Sequence, residues 1–258
     1  MTFLKSLCLA FTMYSKVPMP RVGWEGKHQQ YVLACFPLVG VVVGGAEFFW
    51  LWLCRKIGLG VFLSGAVAAV LPIALTGGIH LDGFCDTCDA LASHQPKERK
   101  LEILKDSHVG AFALIGLGVY LLLSFGTWTQ LVARPFHWRE TLAVCLVFPF
   151  ERAMSGYRCV TLPNARGGGM LFHFTGETTP KVVRALLIVQ GLLAGFGFCF
   201  ACMDLARWMV PLILLGSIWF QSMAEKQFGG ITGDLAGWFL QVTELLALLG
   251  AAIGGCFL

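Results

Sequence analysis

Polar residues in this chain are gathered between long apolar stretches rather than alternating with them. Apolar runs occupy about 31–54, 59–79, 109–132, 142–156, 182–203, 209–223 and 235–257. Most approach the ~20 residues a helix needs to cross the hydrocarbon core of a bilayer. The runs 142–156 and 209–223 are the short ones. No ten-residue segments of alternating polarity point to a transmembrane β-barrel. The pattern predicts an all-α, polytopic integral membrane helical bundle of about seven transmembrane helices, forming one membrane-embedded domain over 1–258. Ahead of the first span, Leu4, Leu7, Cys8 and Phe11 surround Lys5, and Pro18 and Pro20 follow. That predicts an N-terminal interfacial helix with those four apolar side chains toward lipid. A cleaved signal is not expected, because no small-residue cleavage site follows.

Composition agrees. The chain is 57% hydrophobic and 13% charged, where a soluble domain carries about 25% charged residues. With seven spans, the connecting segments fall alternately on two faces. One face carries the N-terminus, 82–108, 157–181 and 224–234, and holds most of the lysines and arginines. The other carries Arg55, Lys56, Arg134, Arg139 and Arg207. The positive-inside rule makes the first face cytoplasmic. The net charge of +4 suits contact with anionic lipid, and no basic cluster points to nucleic acid. Two Cys-x-x-Cys pairs, Cys85/Cys88 and Cys199/Cys202, fall near opposite faces. They read as small apolar helix residues, not as a shared zinc site or a disulfide framework.

The chemistry-bearing feature is His80-Leu81-Asp82-Gly83-Phe84-Cys85-Asp86-Thr87-Cys88-Asp89, at the end of an apolar run. On a helix, Asp82, Asp86 and Asp89 are spaced i, i+4, i+7 and share one face. Like charges at a membrane border are costly unless something binds them. Mg²⁺ is the hard cation that carboxylates and phosphates share, so the stripe points to a metal-dependent enzyme acting on a phosphorylated substrate. The segment 82–108 reads as a helical hairpin on the cytoplasmic side. A helix over 82–92 and a second over 97–106 are separated by Ser93-His94-Gln95-Pro96. Two helices of equal length, about 15 Å each, would return Asp106 to Asp82 as a fourth carboxylate. A solvated face is the competing reading of Asp106.

Further polar clusters fall on the same face. Arg152 precedes Leu162-Pro163-Asn164-Ala165-Arg166-Gly167-Gly168-Gly169, whose guanidinium and backbone N–H groups suit phosphate oxygens, although a plain turn would have the same composition. Gly229-Gly230-Ile231-Thr232-Gly233-Asp234 precedes the last span, where Thr232 or Asp234 can cap the helix and its N-terminus can attract an anion. Glu244 and Gln241 form a polar stripe inside that span. A transporter would place polar residues at mid-membrane and on both faces; Glu47 and Glu244 fit that rival, while the one-sided distribution opposes it.

These residues resemble a known family. The run Thr76-Gly77-Gly78-Ile79-His80-Leu81-Asp82 to Asp89 is similar to the signature of the cobalamin synthases, the adenosylcobinamide-GDP ribazoletransferases. So is Leu101-Glu102-Ile103-Leu104-Lys105-Asp106-Ser107-His108-Val109-Gly110-Ala111-Phe112. Phe11-Thr12, Pro18-Met19-Pro20, Phe36-Pro37-Leu38-Val39-Gly40, Arg152, Ala165-Arg166-Gly167 and Gly229 to Asp234 follow in family order. Cys85 stands where the family commonly has alanine, and Glu151 beside Arg152 adds an unexpected charge.

The resemblance implies a multi-pass protein of the bacterial inner membrane, with its N-terminus and site cytoplasmic. It also implies an Mg²⁺-dependent transferase that joins adenosylcobinamide-GDP to α-ribazole or its 5′-phosphate and releases GMP. Mg²⁺ is then assigned to Asp82, Asp86 and Asp89, with Asp106 as a further ligand or as the base. Asp234 is a second candidate for activating or binding the ribazole hydroxyl. His80 is a candidate proton shuttle or a helix-end hydrogen-bonding group. Candidate substrate-binding residues are Arg152, Arg166, Gly167, Thr232, Gly233 and Glu244. A CDP-alcohol phosphotransferase shares the aspartate and Mg²⁺ logic, but its Ala-Arg after Asp-Gly is missing here. A prenyltransferase would need two complete aspartate clusters. The sequence leaves the oligomeric state open, a homo-oligomer included.

Overall fold

The computed structural model describes residues 2–23, 27–168 and 181–257. Among these residues the chain is helical, with no strand beyond one isolated bridge. The helices are α1 (Thr2–Tyr14), α2 (Val32–Ile57), α3 (Val61–Thr76), α4 (Ile79–Ala92), α5 (Lys97–Ile103), α6 (Ala111–Ala133), α7 (Trp138–Cys145), α8 (Val147–Thr161), α9 (Lys181–Ala201), α10 (Met203–Met223) and α11 (Gly233–Gly255). A π-helical turn, Ala224–Phe228, extends α10.

Among the described residues, five helices are long and apolar enough to span, and a sixth span results if α3 and α4 are taken as one broken element. The count of seven expected from hydropathy is lowered by the run 142–156, which is divided at Leu146 into α7 and α8. Pro149 lies in the first turn of α8 and cannot donate a backbone hydrogen bond across the junction. Outward side chains such as Leu122, Phe196, Phe200 and Leu215 are exposed, as lipid-facing positions should be. The windows of α2 and α11 are mostly buried, so these two form the centre of the bundle. This is a polytopic membrane helical bundle.

α1 differs from expectation on one face. Leu4 is exposed, but Phe11 is buried with Leu9 and Ala10 in the core that α1 shares with α2. Adding Ser6 to those three residues makes a close-packing face that outcompetes the lipid for Phe11.

At the end of α3 the chain turns sharply. Gly77 and Gly78 both adopt left-handed backbone (φ +67° and +77°), a conformation that costs other residues energy. α4 consequently leaves the α3 axis at 97°. Carrying three aspartates, it lies across the end of the bundle and is not counted as spanning. There it packs on α11 through two glycines. A Cβ on Gly83 would stand 2.8 Å from the Cα and carbonyl oxygen of Asp234, and one on Gly237 would stand 2.9 Å from the His80 carbonyl oxygen. Phe84 lies between Trp238 (6.4 Å) and Tyr120 on α6 (5.3 Å).

The expected hairpin forms, with the break at 93–96, but its arms are unequal. α4 has 14 residues and α5 has 7, so Asp106 lies beyond the return helix. α5 docks on the π-helical turn, where Lys100 donates to Gln227.

The crossing sets the first prediction. Gly83→Ala must separate two backbones and should destabilise the detergent-solubilised protein by about 1–3 kcal/mol. Gly45→Ala, at an outward site with nothing within 4 Å, should leave the melting temperature unchanged. Thermal unfolding of the two variants checks this; equal effects would contradict the packing.

Candidate active site

Two loops distant in sequence are zipped together at the end of the bundle where α4 lies. Ile231 N–H donates to the Pro163 carbonyl (2.8 Å), and Ala165 N–H donates to the Ile231 carbonyl (3.0 Å). This contact is possible because Gly230 has φ +150° and lies against the Pro163 carbonyl where a side chain would clash. The Asn164 side-chain oxygen accepts from the N–H groups of Arg166 (2.9 Å) and Gly167 (3.0 Å), which tightens the turn. Thr232 caps α11, its hydroxyl accepting from Leu235 N–H at 3.2 Å.

The zip delivers Arg166 to Asp234. One guanidinium nitrogen donates to Asp234 Oδ2 at 2.7 Å and to the Leu104 carbonyl at 3.0 Å, and both side chains of the ion pair remain partly exposed. The glycine crossing brings the face of α4 to the same place. Asp82, Arg166 and Asp234 line one cavity of about 240 Å³. Thr232 and Gly233 also line it, as does His80. Asp86, one turn beyond Asp82, experiences the same charges. Burial comes first, followed by the neighbouring carboxylates Asp82, Asp234 and Asp89, and together they push its carboxyl up to about 6 despite the opposing pull of Arg166.

Other expected site residues lie elsewhere. Asp89 accepts from Gly110 N–H (2.7 Å) and Ala113 N–H (2.8 Å), capping α6 with both oxygens. Asp106 is exposed and turned to His108, whose ring nitrogen lies 2.6 Å away. Hydrogen bonds from the His108 ring and backbone hold the Asp106 carboxyl below the usual carboxylate range. It is absent from the charges acting on Asp86. Arg152 and Glu244 are buried inside the bundle. Arg152 donates to Glu151 Oε1 (2.6 Å) and the Phe148 carbonyl (3.1 Å), and Tyr120 OH lies 3.4 Å from Glu244. Neither Arg152 nor Glu244 lines the cavity. Gly167, with φ +62°, forms the turn beside Arg166, and Gly169 lies outside the described residues.

His80 takes neither of its two expected roles fully. It is buried and its Nε2 has no hydrogen-bond partner. Its ring packs instead on Phe36 (5.4 Å) and Tyr14 (5.9 Å). Sequence reasoning missed the contribution of α1 and α2, because Tyr14 and Phe36 look like ordinary membrane aromatics. Their only signal was the Phe36-Pro37 and Phe11-Thr12 landmarks.

The carboxylates fit Mg²⁺. Among the described residues, no group of three or more His, Cys, Asp and Glu side chains is arranged to hold a metal ion unaided. Mg²⁺ does not need one, since it is ordinarily held by one or two carboxylates together with substrate phosphates and water. Asp82 and Asp86 are one turn apart on α4, and burial first, then the neighbouring carboxylates, raise Asp86, an acidic surplus that a cation would offset.

Because Asp86 titrates high in the folded chain, the stability it contributes is present below about pH 4 and is lost as pH rises through its folded value. In protein stripped of divalent ions, Asp86→Asn should therefore raise the melting temperature near about pH 8 and change it little near about pH 4. An equal gain at both would contradict the charge repulsion.

The family model described as Cobalamin-5-phosphate synthase matches residues 6–252. A Lachnoclostridium phytofermentans protein named adenosylcobinamide-GDP ribazoletransferase is 38% identical over 98% of this chain and 95% of its own. Proteins of the same name from Desulfitobacterium hafniense (33% identical; 97% and 98% covered) and Clostridium perfringens strain 13 (30% identical; 96% and 97% covered) are also similar. No solved structure matches. With residues 6–252 matched by the family model and a relative 38% identical over 98% of this chain, the chain belongs to the cobalamin-5-phosphate synthase family.

Proposed function

We propose that this protein transfers the cobinamide phosphate of adenosylcobinamide-GDP to α-ribazole, or to its 5′-phosphate, and releases GMP. The relatives' name supplies the substrate class. The supporting observation is the convergence of Asp82, Asp234 and Arg166 on one cavity, with Asp86 one turn along α4. A ribose hydroxyl oxygen forms a bond to the cobinamide-side phosphorus, the bond from that phosphorus to the GMP oxygen breaks, and the hydroxyl proton leaves. Such a reaction needs charge neutralisation and positioning more than a covalent intermediate.

Asp82 and Asp86 would hold Mg²⁺, which when bound supplies positive charge to the pyrophosphate oxygens. Arg166 presents its guanidinium to a phosphate oxygen while remaining oriented by Asp234 and the Leu104 carbonyl. Asp234, paired on one oxygen with Arg166, is the candidate acceptor for the hydroxyl proton. Asp89 acts through α6, which it caps. Asp106 is read as an exposed support of the 82–108 segment. The chain is read as one membrane-embedded domain in the bacterial inner membrane. The excess of Lys and Arg at the site end supports a cytoplasmic active site.

Purified protein in detergent, given adenosylcobinamide-GDP, α-ribazole and Mg²⁺, should release GMP and form the cobalamin product. Chelation should abolish release and Mg²⁺ should restore it. Asp82→Asn and Asp86→Asn should each lower kcat by about 10²-fold or more. Undiminished release in both variants would discard the site; no release by well-folded wild type would discard the reaction.

A further inference from the structure

The charged lining of the cavity accounts for phosphate and metal. It does not account for the remaining wall. Met13 and Tyr14 from α1 and Leu33 and Phe36 from α2 close the cavity with apolar and aromatic surface. Tyr14, Phe36 and His80 touch as one aromatic cluster, with ring centroids 4.3 Å apart for Tyr14 and Phe36 and 5.4 Å apart for Phe36 and His80. His80 is 5% exposed and lines this cavity, and its Nε2 is buried without a hydrogen-bond partner.

A second concavity lies on the other side of Asp82. It is an open groove of about 470 Å³, lined by Gly77, Gly78, Leu81, Cys85 and Leu117, and it shares Ile79 and Asp82 with the first. Asp82 therefore stands between the first cavity and a more open groove.

We infer that the first cavity is the nucleoside subsite, with the base of α-ribazole against the Tyr14–Phe36–His80 wall. This rests on the transferase reading for the identity of the nucleoside. Drug-sized ligands occupy pockets of about 300–1,000 Å³, so a cavity of 240 Å³ suits a nucleoside and not a corrinoid bearing a nucleotide arm. The apolar end suits a base whose fused ring has a hydrocarbon edge, and aromatic side chains stack on such a ring face. Guanine, with donors and acceptors along its edge, would leave several of them unpaired there. The ribose would then point toward Asp234 and Arg166. The bulky corrinoid substrate takes the open groove, and the two substrates meet at Asp82.

The cavity is formed without ligand, so α-ribazole should bind wild-type protein with neither Mg²⁺ nor the second substrate present. Equilibrium dialysis measures this, and GMP should not compete. In steady-state kinetics, Met13→Trp, which fills the cavity from the half-buried α1, and His80→Gln should each raise KM for α-ribazole by about tenfold or more. Neither should change KM for adenosylcobinamide-GDP. Competition by GMP, or a KM effect confined to adenosylcobinamide-GDP, would overturn the subsite while leaving the reaction standing. Wild type that binds α-ribazole without GMP competition, yet never releases GMP, would support the subsite and overturn the reaction.

Discussion

The close crossing of α4 and α11 is the constraint on which the candidate site depends. Helices meet at backbone distance only where both lack side chains at the contact, and Gly83 and Gly237 provide that on the two partners. Asp82, immediately before Gly83, and Asp86 one turn after it are thereby held beside Asp234, the second residue of α11. Since Arg166 is bound to Asp234, a single helix contact sets the relation between the acidic face, the ion pair and the cavity. The zipped loops make the geometry tighter, because the Pro163–Ile231 and Ala165–Ile231 hydrogen bonds leave Arg166 few alternatives.

The protein buries charge in two different ways. At the end of the bundle, Asp82, Asp86 and Asp234 remain reachable and face one arginine, an excess of negative charge that suits a divalent cation and a phosphorylated substrate. Inside the bundle, Glu151 and Arg152 form a closed pair, with Glu47 and Glu244 buried on neighbouring helices. Arg152 there touches Phe36 as well, its guanidinium 5.8 Å from the ring that also packs on His80. The interior pair thus supports the aromatic wall from behind, which gives a physical role to an arginine that sequence reasoning placed on substrate.

Much of this was legible in the sequence. Hydropathy predicted the helical bundle, and the i, i+4 spacing of Asp82 and Asp86 predicted their shared face. The co-location of the Arg166 and Asp234 loops was expected from the alternation of predicted spans, which put both loops on one face. What periodicity could not supply was partner identity. Asp89 has the same stripe position as Asp82, but the backbone N–H groups of Gly110 and Ala113 are in reach of it, and that is a tertiary fact. Asp106 was misplaced because the return helix stops at Ile103, three residues short. The division of 142–156 reflects Pro149 and the internal charges of α8, which a window average smooths away. The walls contributed by Tyr14 and Phe36 carry no chemical signal until α1 and α2 are seen to close the cavity.

The central claim is that metal and pyrophosphate meet on the Asp82–Asp86 face. Mn²⁺ substituted for Mg²⁺ allows a direct measurement, because pulsed electron paramagnetic resonance detects ³¹P nuclei in the metal's coordination sphere. With adenosylcobinamide-GDP bound, wild-type protein should show ³¹P coupling, and the Asp82→Asn, Asp86→Asn double variant should lose it while remaining folded. Coupling that persists unchanged in the double variant would place the metal elsewhere and contradict the account.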